Sequence, residues 1–319
     1  MAAGEPGTVR FSTYNMLDLF AGNPDAGPGH YGKVVESIRQ LAADVLAVQE
    51  IRAPDLATGC QRLHQLATDT GLNCLASGPD AEPVPALGYG PRGYHVGLLW
   101  RAGIEPLPGT FASRSRDLWH VLAWVTLDVG GQAVRHASYH ATPFGKKIRA
   151  DQNEIVVATL ARPGNRRATL VGADWNGESA DRVWDAATGS WRLYEPGDPY
   201  AGVEWFEDLV HQCVWDYDER GVRRHRVDRS AGDVLWAGGL HDAAAVVGAP
   251  WQPTTGHHAS DPYGARGVRR RIDAIRVTSE VVPALRSVRV TDTGLTREAS
   301  DHLPVTAEYL PAKIAGGAG

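Results

Sequence analysis

The sequence predicts an α/β fold in which two β-sheets pack against each other and helices cover their outer faces. Segments with strand patterns alternate with segments with helix patterns early in the chain, and the last part is rich in strands. Because every sheet and helix must bury an apolar face, two packed sheets with outer helices satisfy this order. The 319 residues contain no Gly/Ser-rich linker and no internal repeat, so we expect a single domain over residues 9–310.

The periodicity of apolar residues places the individual elements. Residues 9–15 alternate apolar and polar side chains, which is typical of a strand, and residues 30–42 repeat apolar side chains at helical spacing. The other predicted elements are a buried strand at 44–49, a helix at 59–70, strands at 94–100, 118–128 and 133–140, a helix at 146–160, and strands at 168–172, 272–278, 285–290 and 304–309.

The segment 177–265 has the least regular pattern. It holds six of the ten tryptophans together with many Gly, Asp and Pro residues, so we expect short helices and loops in the same domain. We interpret the tryptophans as packing these loops, with stacking on a base or a hydrophobic substrate as the alternative. The ends of the chain, residues 1–8 and 311–319, are small or polar, and we expect them to be flexible.

Composition excludes several classes of protein. With 32 Lys+Arg against 37 Asp+Glu, the net charge of −5 argues against a protein that coats nucleic acid non-specifically. The three cysteines form no CxxC pair, so neither a disulfide framework nor a thiolate zinc site is expected. Because no apolar run approaches the roughly 20 residues of a membrane span and the N-terminus lacks an apolar core, we expect a cytoplasmic protein without a membrane partner. Nothing in the sequence implies a protein partner.

Polar side chains cluster at the predicted ends of strands. Strand ends meet at one rim of a sheet, where a rigid scaffold holds functional side chains. The carboxylates and amides among them are ligands that select Mg²⁺ or Mn²⁺, and the histidines transfer protons near neutral pH. Together they fit metal-assisted attack of water on phosphorus. These candidates are Asn15, Glu50, His140, Asp174, Asn176, Asp273, Asp301 and His302.

The order of these motifs resembles the endonuclease/exonuclease/phosphatase superfamily. The matching motifs are STYN at 12–15, LAVQE at 46–50, SYHA at 138–141, VGADWN at 171–176, RRIDAI at 270–275 and SDHLPV at 300–305. Each is weak alone, but their order and their positions at strand boundaries make the set specific. The resemblance runs from about Arg10 to Tyr309. It implies a four-layer α-β-β-α sandwich with two mixed, mostly antiparallel sheets, and a phosphohydrolase that uses Mg²⁺, with Mn²⁺ as a substitute.

The resemblance also implies a role for each acidic residue. Glu50 would bind the catalytic Mg²⁺, with Asn15 and Asp301 close to it. Asp174 would orient or deprotonate the attacking water, or hold a second metal ion.

The remaining roles concern the phosphate. By the same resemblance, Asn176 would hydrogen-bond the phosphate oxygens, and His302 would contact the scissile phosphate, with Asp273 fixing its tautomer and charge. His140 would act on the phosphate or the leaving group. Which histidine is the acid and which the base stays open.

Two arginines are candidates for substrate binding. Arg149, with Gln152, matches a pattern of the deadenylase-like branch of the superfamily and is expected to contact phosphate or ribose. Arg271 belongs to the basic cluster 264–271 that leads into the predicted site and could guide an anionic substrate. The alternatives are helix-to-loop hydrogen bonding for Arg149 and a solvated loop for the basic residues, including the second cluster at 222–229.

Taken together, the sequence predicts a hydrolase of phosphodiesters, with nucleic acid as the favoured substrate. A phosphomonoesterase acting on a small phosphorylated metabolite is the alternative, and a pocket closed by the segment 177–265 would favour it. An open groove would favour nucleic acid. A third possibility is a non-catalytic binding protein with the same fold. Each candidate residue also has a purely structural explanation, as a turn former, a cap or a surface ion pair.

Overall fold

Two β-sheets lie face to face and share an apolar core. The computed structural model describes residues 7–77, 82–164, 167–258 and 261–315. Neighbouring residues in the central strands point to opposite faces, so that Val45 faces the other sheet whereas Leu46 faces the helices. Burial of both faces explains the continuous apolar run of this strand. The core between the sheets includes Phe11, Val45, Leu98, Trp100, Val125, Leu127, Val134, Leu170, Ile275, Val305 and Tyr309.

The first sheet has six strands. Its only parallel pair among the described residues joins the two central strands, and the other neighbours are antiparallel. In spatial order the strands are Leu285–Val290, Val305–Tyr309, Val9–Leu19, Val45–Arg52, Tyr94–Trp100 and Leu87–Gly88.

The second sheet has seven strands and repeats this arrangement. Its central pair, Gln132–His140 and Thr169–Asp174, is parallel, and the other described pairs are antiparallel. In spatial order the strands are His241–Asp242, Asp273–Val277, Thr169–Asp174, Gln132–His140, Leu122–Val129 and Glu105–Pro106, with Ala112–Arg114 also paired to Leu122–Val129.

Helices form the two outer layers. His30–Leu41 and Leu56–Thr70 pack on the first sheet, and Lys146–Leu160 and Ser230–Ala237 pack on the second. Two short helices, Ala243–Val247 and Gly294–Ala299, complete the described set. This is the predicted four-layer α-β-β-α sandwich, so the fold class is confirmed. None of the helices in the described ranges combines the length and apolar character that crossing a membrane requires.

The structure differs from the sequence prediction in the segment 177–265. Besides short helices and loops, this segment forms two β-hairpins that its irregular pattern did not indicate. We call them the Trp184 hairpin (Arg182–Asp185 paired with Ser190–Leu193) and the Arg223 hairpin (Cys213–Tyr217 paired with Arg223–Val227). A further two-stranded sheet pairs Leu75–Ser77 with Pro83–Pro85.

The C-terminal tail begins as folded structure. Pro311–Lys313 forms a 3₁₀ turn, the side chain of Pro311 is buried, and the amide of Ala315 donates to the carbonyl of Glu280 at 2.9 Å. These residues therefore pack against the domain, whereas the sequence suggested a flexible tail from residue 311. Residues 1–6 and 316–319, where flexibility was also expected, lie outside the described residues.

The two sheets approach each other closely at Gly172. A Cβ atom on Gly172 would lie 2.7 Å from the Cβ of Thr13 and 3.0 Å from the Cβ of Ala47. Beside this contact, the buried amide of Gln49 donates to the hydroxyl oxygens of Thr13 and Ser138 at 3.2 and 3.0 Å. Because Gln49 belongs to the first sheet and Ser138 to the second, a polar contact links the sheets directly.

We expect Gly172→Ala to destabilise the protein by about 1–3 kcal/mol, because the added methyl group must push two packed strands apart. Urea denaturation gives the free energy of unfolding. Gly32→Ala is the matched control: it lies in the helix His30–Leu41 with nothing within 4 Å of the added methyl group. This control should leave stability unchanged or raise it by about 0.4–1 kcal/mol. Equal effects of the two substitutions would contradict the close approach of the sheets.

Candidate functional site

Irregularities in two strands of the first sheet position Asn15 and Glu50. The prediction that these residues follow the ends of their strands is wrong, because both strands continue to Leu19 and Arg52. The pairing register shifts between Asn15 and Leu19, and Glu50 has a φ of +67°. Such bulges change the direction of a side chain and are common beside active sites. Here they bring an amide and a carboxylate to the rim of the sheet.

The second sheet supplies the partners of these groups. His140 and Asp174 are register partners at the ends of two parallel strands, and Asp273 is the antiparallel partner of Asp174. Beyond the strand, Asn176 has a φ of +51°, and its backbone amide donates to Asp174 Oδ1 at 2.9 Å. The Asn176 side chain donates to the carbonyl of Ala141 at 3.0 Å. The Asp-x-Asn spacing therefore forms a turn that holds both side chains at the strand end.

The amide of Asn15 joins the two sheets at their rim. Its Nδ2 atom donates to Glu50 Oε1 and to Asp174 Oδ2, both at 3.0 Å. The backbone amide of Asp18 donates to the other Glu50 oxygen at 2.7 Å. Two carboxylates from different sheets are thereby held within reach of one ion.

A His–Asp pair forms the opposite side of the cluster. His302 Nδ1 lies 2.8 Å from Asp273 Oδ2, and the backbone amide of Asp273 donates to the hydroxyl of Thr254 at 3.1 Å. The Ser300 hydroxyl donates to the carbonyl of Asn15 at 2.8 Å and accepts from the amide of His302 at 3.1 Å. These contacts fix the orientation of the His302 ring. Because Nδ1 is held by Asp273, Nε2 points toward Asp174.

The two histidines face the same carboxylate. His140 Nε2 lies 3.4 Å from Asp174 Oδ2, and His302 Nε2 lies 3.9 Å from that atom and 4.0 Å from Asp301 Oδ1. The ring of His120 stacks on His140 with a centroid distance of 4.1 Å. All predicted catalytic and metal-binding residues are thus brought together in one cluster.

Burial and mutual charge perturb these groups strongly. Burial raises the pKa of Glu50. Burial also acts to raise the pKa of Asp174, but the charges of His302 and His140 outweigh it and hold that pKa below its usual range. For both histidines burial lowers the pKa. For His140, the hydrogen bond and charge of Asp174 outweigh burial. For His302, the charge of Asp273 is the main influence that outweighs it. The pKa of each histidine is therefore raised.

The donor set fits a divalent cation. Ligand atoms of Glu50, His140 and Asp174 lie within 4.8 Å of one another, as do those of Asp174, Asp273 and His302. Asp273 Oδ1 is buried without a hydrogen-bond partner. Carboxylate and amide oxygens are the ligands preferred by Mg²⁺ and Mn²⁺, and a cation would offset the burial of several carboxylates.

The cluster opens into a cleft of about 320 Å³. One wall is cationic and aromatic: the guanidinium of Arg92 lies 3.8 Å from the ring centroid of Trp119, and the ring of Phe144 meets Trp119 edge-on at 5.8 Å. Sequence reasoning missed this wall and His120, because no motif or spacing marks them. The described lining residues are Glu50, Arg92, Tyr94, Trp119, His120, His140, Pro143, Phe144, Asp174, Asn176 and His302, so none of the described residues of the segment 177–265 lines the cleft.

Comparison with known proteins supports the fold. No family model matches the sequence, and no curated protein sequence matches it. Similar solved structures include an endonuclease/exonuclease/phosphatase family protein from Bacteroides thetaiotaomicron, with a TM-score of 0.58 and 15% identity over 96% of this chain and 98% of that one. The chain has the endonuclease/exonuclease/phosphatase fold.

Two other structures with this fold carry more specific names. A humanized D. rerio TDP2 has a TM-score of 0.55 and 13% identity, covering 95% of this chain and 99% of that one. The mannosyl-6-phosphatase Bt3783 of B. thetaiotaomicron has a TM-score of 0.53 and 13% identity, covering 94% and 98%. At these identities the similarity is one of fold.

Within this fold, the side chain of Arg149 connects parts of the protein by hydrogen bonds. Its side chain is buried, and its guanidinium donates to the carbonyls of Thr142, Pro143 and His211 at 3.0–3.2 Å and to the Gln212 side chain at 3.3 Å. The expected contact with phosphate or ribose does not fit this arrangement, because these partners occupy the donors. The helix-to-loop alternative describes what the structure contains.

The side chain of Arg271 also binds a residue within the protein. It is buried and donates two hydrogen bonds, at 2.6 and 2.9 Å, to the carboxylate of Asp242, which is itself fully buried. Burial acts to raise the pKa of Asp242, but the charge and hydrogen bonds of Arg271 outweigh this effect. The pKa of Asp242 therefore lies below its usual range. Arg271 therefore anchors an edge strand beside the site, and direct substrate contact does not fit this geometry.

We expect Arg271→Ala to destabilise the protein by about 3–5 kcal/mol at neutral pH, because it removes the cation that donates two hydrogen bonds to the buried Asp242 carboxylate and leaves only the charge of Arg276 acting on it. Asp242 has a depressed pKa when folded, so its stabilisation is present at neutral pH and is lost as the pH falls through that value. Chemical denaturation at several pH values measures the difference. Arg269→Ala, at an exposed position of the same basic cluster, should stay within about 0.5 kcal/mol. A small, pH-independent loss in Arg271→Ala would contradict this assignment.

We expect Asp273→Asn to lower the pKa of His302, because the Asp273 charge is the main influence that raises it. The direction is the same whether His302 acts as an acid or as a base. NMR titration of the imidazole ¹⁵N signals in EDTA measures it, with His211, outside the cluster, as the internal reference. An unchanged His302 titration would show that Asp273 does not set the charge of this ring.

Proposed function

We propose that the protein hydrolyses a phosphoester with the help of a divalent cation, and that its substrate is a phosphodiester of nucleic acid. One observation carries the proposal: Asn15, Glu50 and Asp174 converge with the His302–Asp273 pair at the rim of both sheets, facing a cleft. Carboxylates, an amide and two histidines around one opening form a set suited to charge stabilisation and proton transfer at phosphorus.

Each group has a proposed task. Mg²⁺ or Mn²⁺, held by Glu50 with Asn15 and Asp301 close to it, would polarise the phosphoryl oxygen and lower the pKa of a water molecule. Asp174 accepts a hydrogen bond from Asn15 and so presents a fixed carboxylate that can orient or deprotonate the attacking water. Its depressed pKa keeps it ionised at neutral pH.

The donors of the site are proposed to bind the phosphate. Asn176 uses one amide hydrogen on Ala141 and retains a second for a phosphoryl oxygen. His302 is held by Asp273 with its Nε2 atom in the cluster, and its raised pKa favours the charged form that neutralises a phosphate. His140 remains available for the phosphate or the leaving group. Fixed donors of this kind stabilise the charge of the transition state without reorganisation.

A phosphomonoesterase acting on a small metabolite is a second candidate. The cleft of about 320 Å³ is at the small end of the range for ligand pockets, which suits one phosphoryl group with a single sugar or base. A structure with the same fold is named a mannosyl-6-phosphatase. A non-catalytic binding protein remains the third candidate, and failure to bind Mg²⁺ in a titration would favour it.

We expect the wild-type protein to cleave plasmid and single-stranded DNA with Mg²⁺ or Mn²⁺, and Asp174→Ala to be slower by about 10³-fold, because a positioned general base contributes 10²–10⁴-fold. Gel analysis of the products measures cleavage. Asp151→Ala, an exposed carboxylate on the helix Lys146–Leu160, is the matched control and should retain full activity. Circular dichroism verifies that both variants are folded.

Three outcomes would contradict parts of the proposal. Undiminished hydrolysis in excess EDTA would exclude the metal ion, and normal turnover by Asp174→Ala would remove that residue from the mechanism. Hydrolysis of 4-nitrophenyl phosphate without cleavage of any nucleic acid would establish the small-molecule phosphatase instead.

A further inference from the structure

The Arg223 hairpin presents a face of aromatic and cationic side chains. Its register pairs Trp215 with His225 and Tyr217 with Arg223. Residues two apart in a strand share a face, so these four side chains lie on the same side of the hairpin. The acidic residue between them, Asp216, lies on the opposite side.

Cations lie over the rings of this face and over the ring of Trp205, which packs against it. The guanidinium of Arg223 lies 4.2 Å from the ring centroid of Trp205 and 5.6 Å from that of Tyr217, and Lys146 Nζ lies 4.3 Å from that of Trp215. Trp205 and Trp215 meet edge to face at 5.3 Å. Tyr217 is 58% exposed and Trp215 38% exposed, so ring surface remains open to a ligand.

Hydrogen bonds link the base of this hairpin to the wall of the cleft. Arg149 donates to the carbonyl of Pro143, which lines the cleft, and to that of His211, which precedes the hairpin. The Gly145 amide donates to His211 Nδ1 at 3.2 Å, and the ring of Phe144 meets that of His211 at 5.1 Å. Lys146, two residues after Phe144, reaches the Trp215 ring of the hairpin face, so a chain that leaves the cleft over Phe144 comes to this face next.

We propose that this face binds single-stranded nucleic acid that extends from the cleft. Alternating rings and cations match a chain of bases and phosphates, because bases stack on aromatic rings and phosphates bind arginine. The strand must be unpaired, since bases in a duplex already stack on each other. This inference rests on the proposed function and specifies its substrate.

The Trp184 hairpin provides a matched comparison. Its tryptophans, Trp184 and Trp191, are 56% and 64% exposed and pair across the strands, as the rings of the Arg223 hairpin do. Its arginines, however, lie 3.5 Å from carboxylates, Arg182 from Asp233 and Arg192 from Asp185. It resembles the Arg223 hairpin in exposed aromatic surface, and Arg182 lies 4.7 Å from the ring centroid of Trp236 outside the hairpin, but among the described residues no cation lies over Trp184 or Trp191.

Fluorescence anisotropy in EDTA, where no hydrolysis is expected, tests the proposal. The probes are labelled DNA and RNA single strands of about 20 nucleotides, long enough for a site of 4–16 nucleotides, and a DNA duplex of equal length. The wild type should bind a single strand more tightly than the duplex. Trp215→Ala combined with Tyr217→Ala should weaken single-strand binding about tenfold or more, because each stacked base contributes substantially. Trp184→Ala combined with Trp191→Ala should change it by less than about twofold.

Salt dependence provides a second measure. Arg223→Ala should reduce the slope of log K against log salt by about 0.7, the value for one phosphate contact on a single strand. Arg192→Ala, on the Trp184 hairpin, should leave the slope unchanged. Tyr217→Phe keeps the ring and removes only the hydroxyl that accepts a hydrogen bond from Arg223 at 3.1 Å, so binding close to that of the wild type identifies stacking as the contribution that the double variant loses.

The outcomes separate this inference from the proposed function. Equal losses in the two hairpins, tighter binding of the duplex, or no loss in folded variants of the Arg223 hairpin would overturn the inference. Thermal melting verifies folding, and if the double variant does not fold, Arg223→Ala alone decides. Hydrolysis of bis(4-nitrophenyl) phosphate by the wild type with Mg²⁺ tests the proposed function by itself, because this small diester does not require the hairpin.

Discussion

The site depends on the bridge that the amide of Asn15 makes between Glu50 of the first sheet and Asp174 of the second. Two carboxylates on separate sheets can meet only if the sheets approach closely, and Gly172 permits this approach. The bulge near Glu50 then turns its side chain toward the second sheet. Assembling the site thus requires a strained backbone at Glu50 and a close contact between the sheets at Gly172. Burial of the apolar core between the sheets offsets the free-energy cost of both.

Electrostatics explain why the cluster contains two histidines and suits a cation. Glu50, Asp174 and Asp273 are withdrawn from water, and burial alone disfavours their charged forms. His140 and His302 neutralise part of this charge, but His302 is already paired with Asp273. A divalent ion bound there would offset the remainder, so the burial that raises the pKa of Glu50 makes the cluster suited to a cation.

Sequence reasoning identified the strands and the clustered side chains, because periodicity and motif order report burial and strand boundaries. It could not decide the roles of Arg149 and Arg271, since an arginine in a motif looks the same whether it binds a substrate phosphate or a buried carboxylate such as Asp242. The Arg223 hairpin escaped notice because its strands are largely exposed, so their pattern shows no alternation of buried and exposed residues. The sequence analysis also missed the cleft wall at Arg92, because residues far apart in the sequence form it through tertiary contacts alone.

The choice between a small phosphoester and a nucleic acid depends on how far the substrate extends beyond the cleft. The cleft alone accommodates one phosphoryl group and its nearest substituent, which either class of substrate provides. Arg149 changes this balance, because its guanidinium donates hydrogen bonds both to Pro143 of the cleft wall and to His211 at the base of the hairpin. Because the hairpin and the cleft wall are linked, contacts that a substrate makes on the hairpin would also help to position its phosphate at Asp174. A small metabolite cannot use that energy, whereas an extended single strand can.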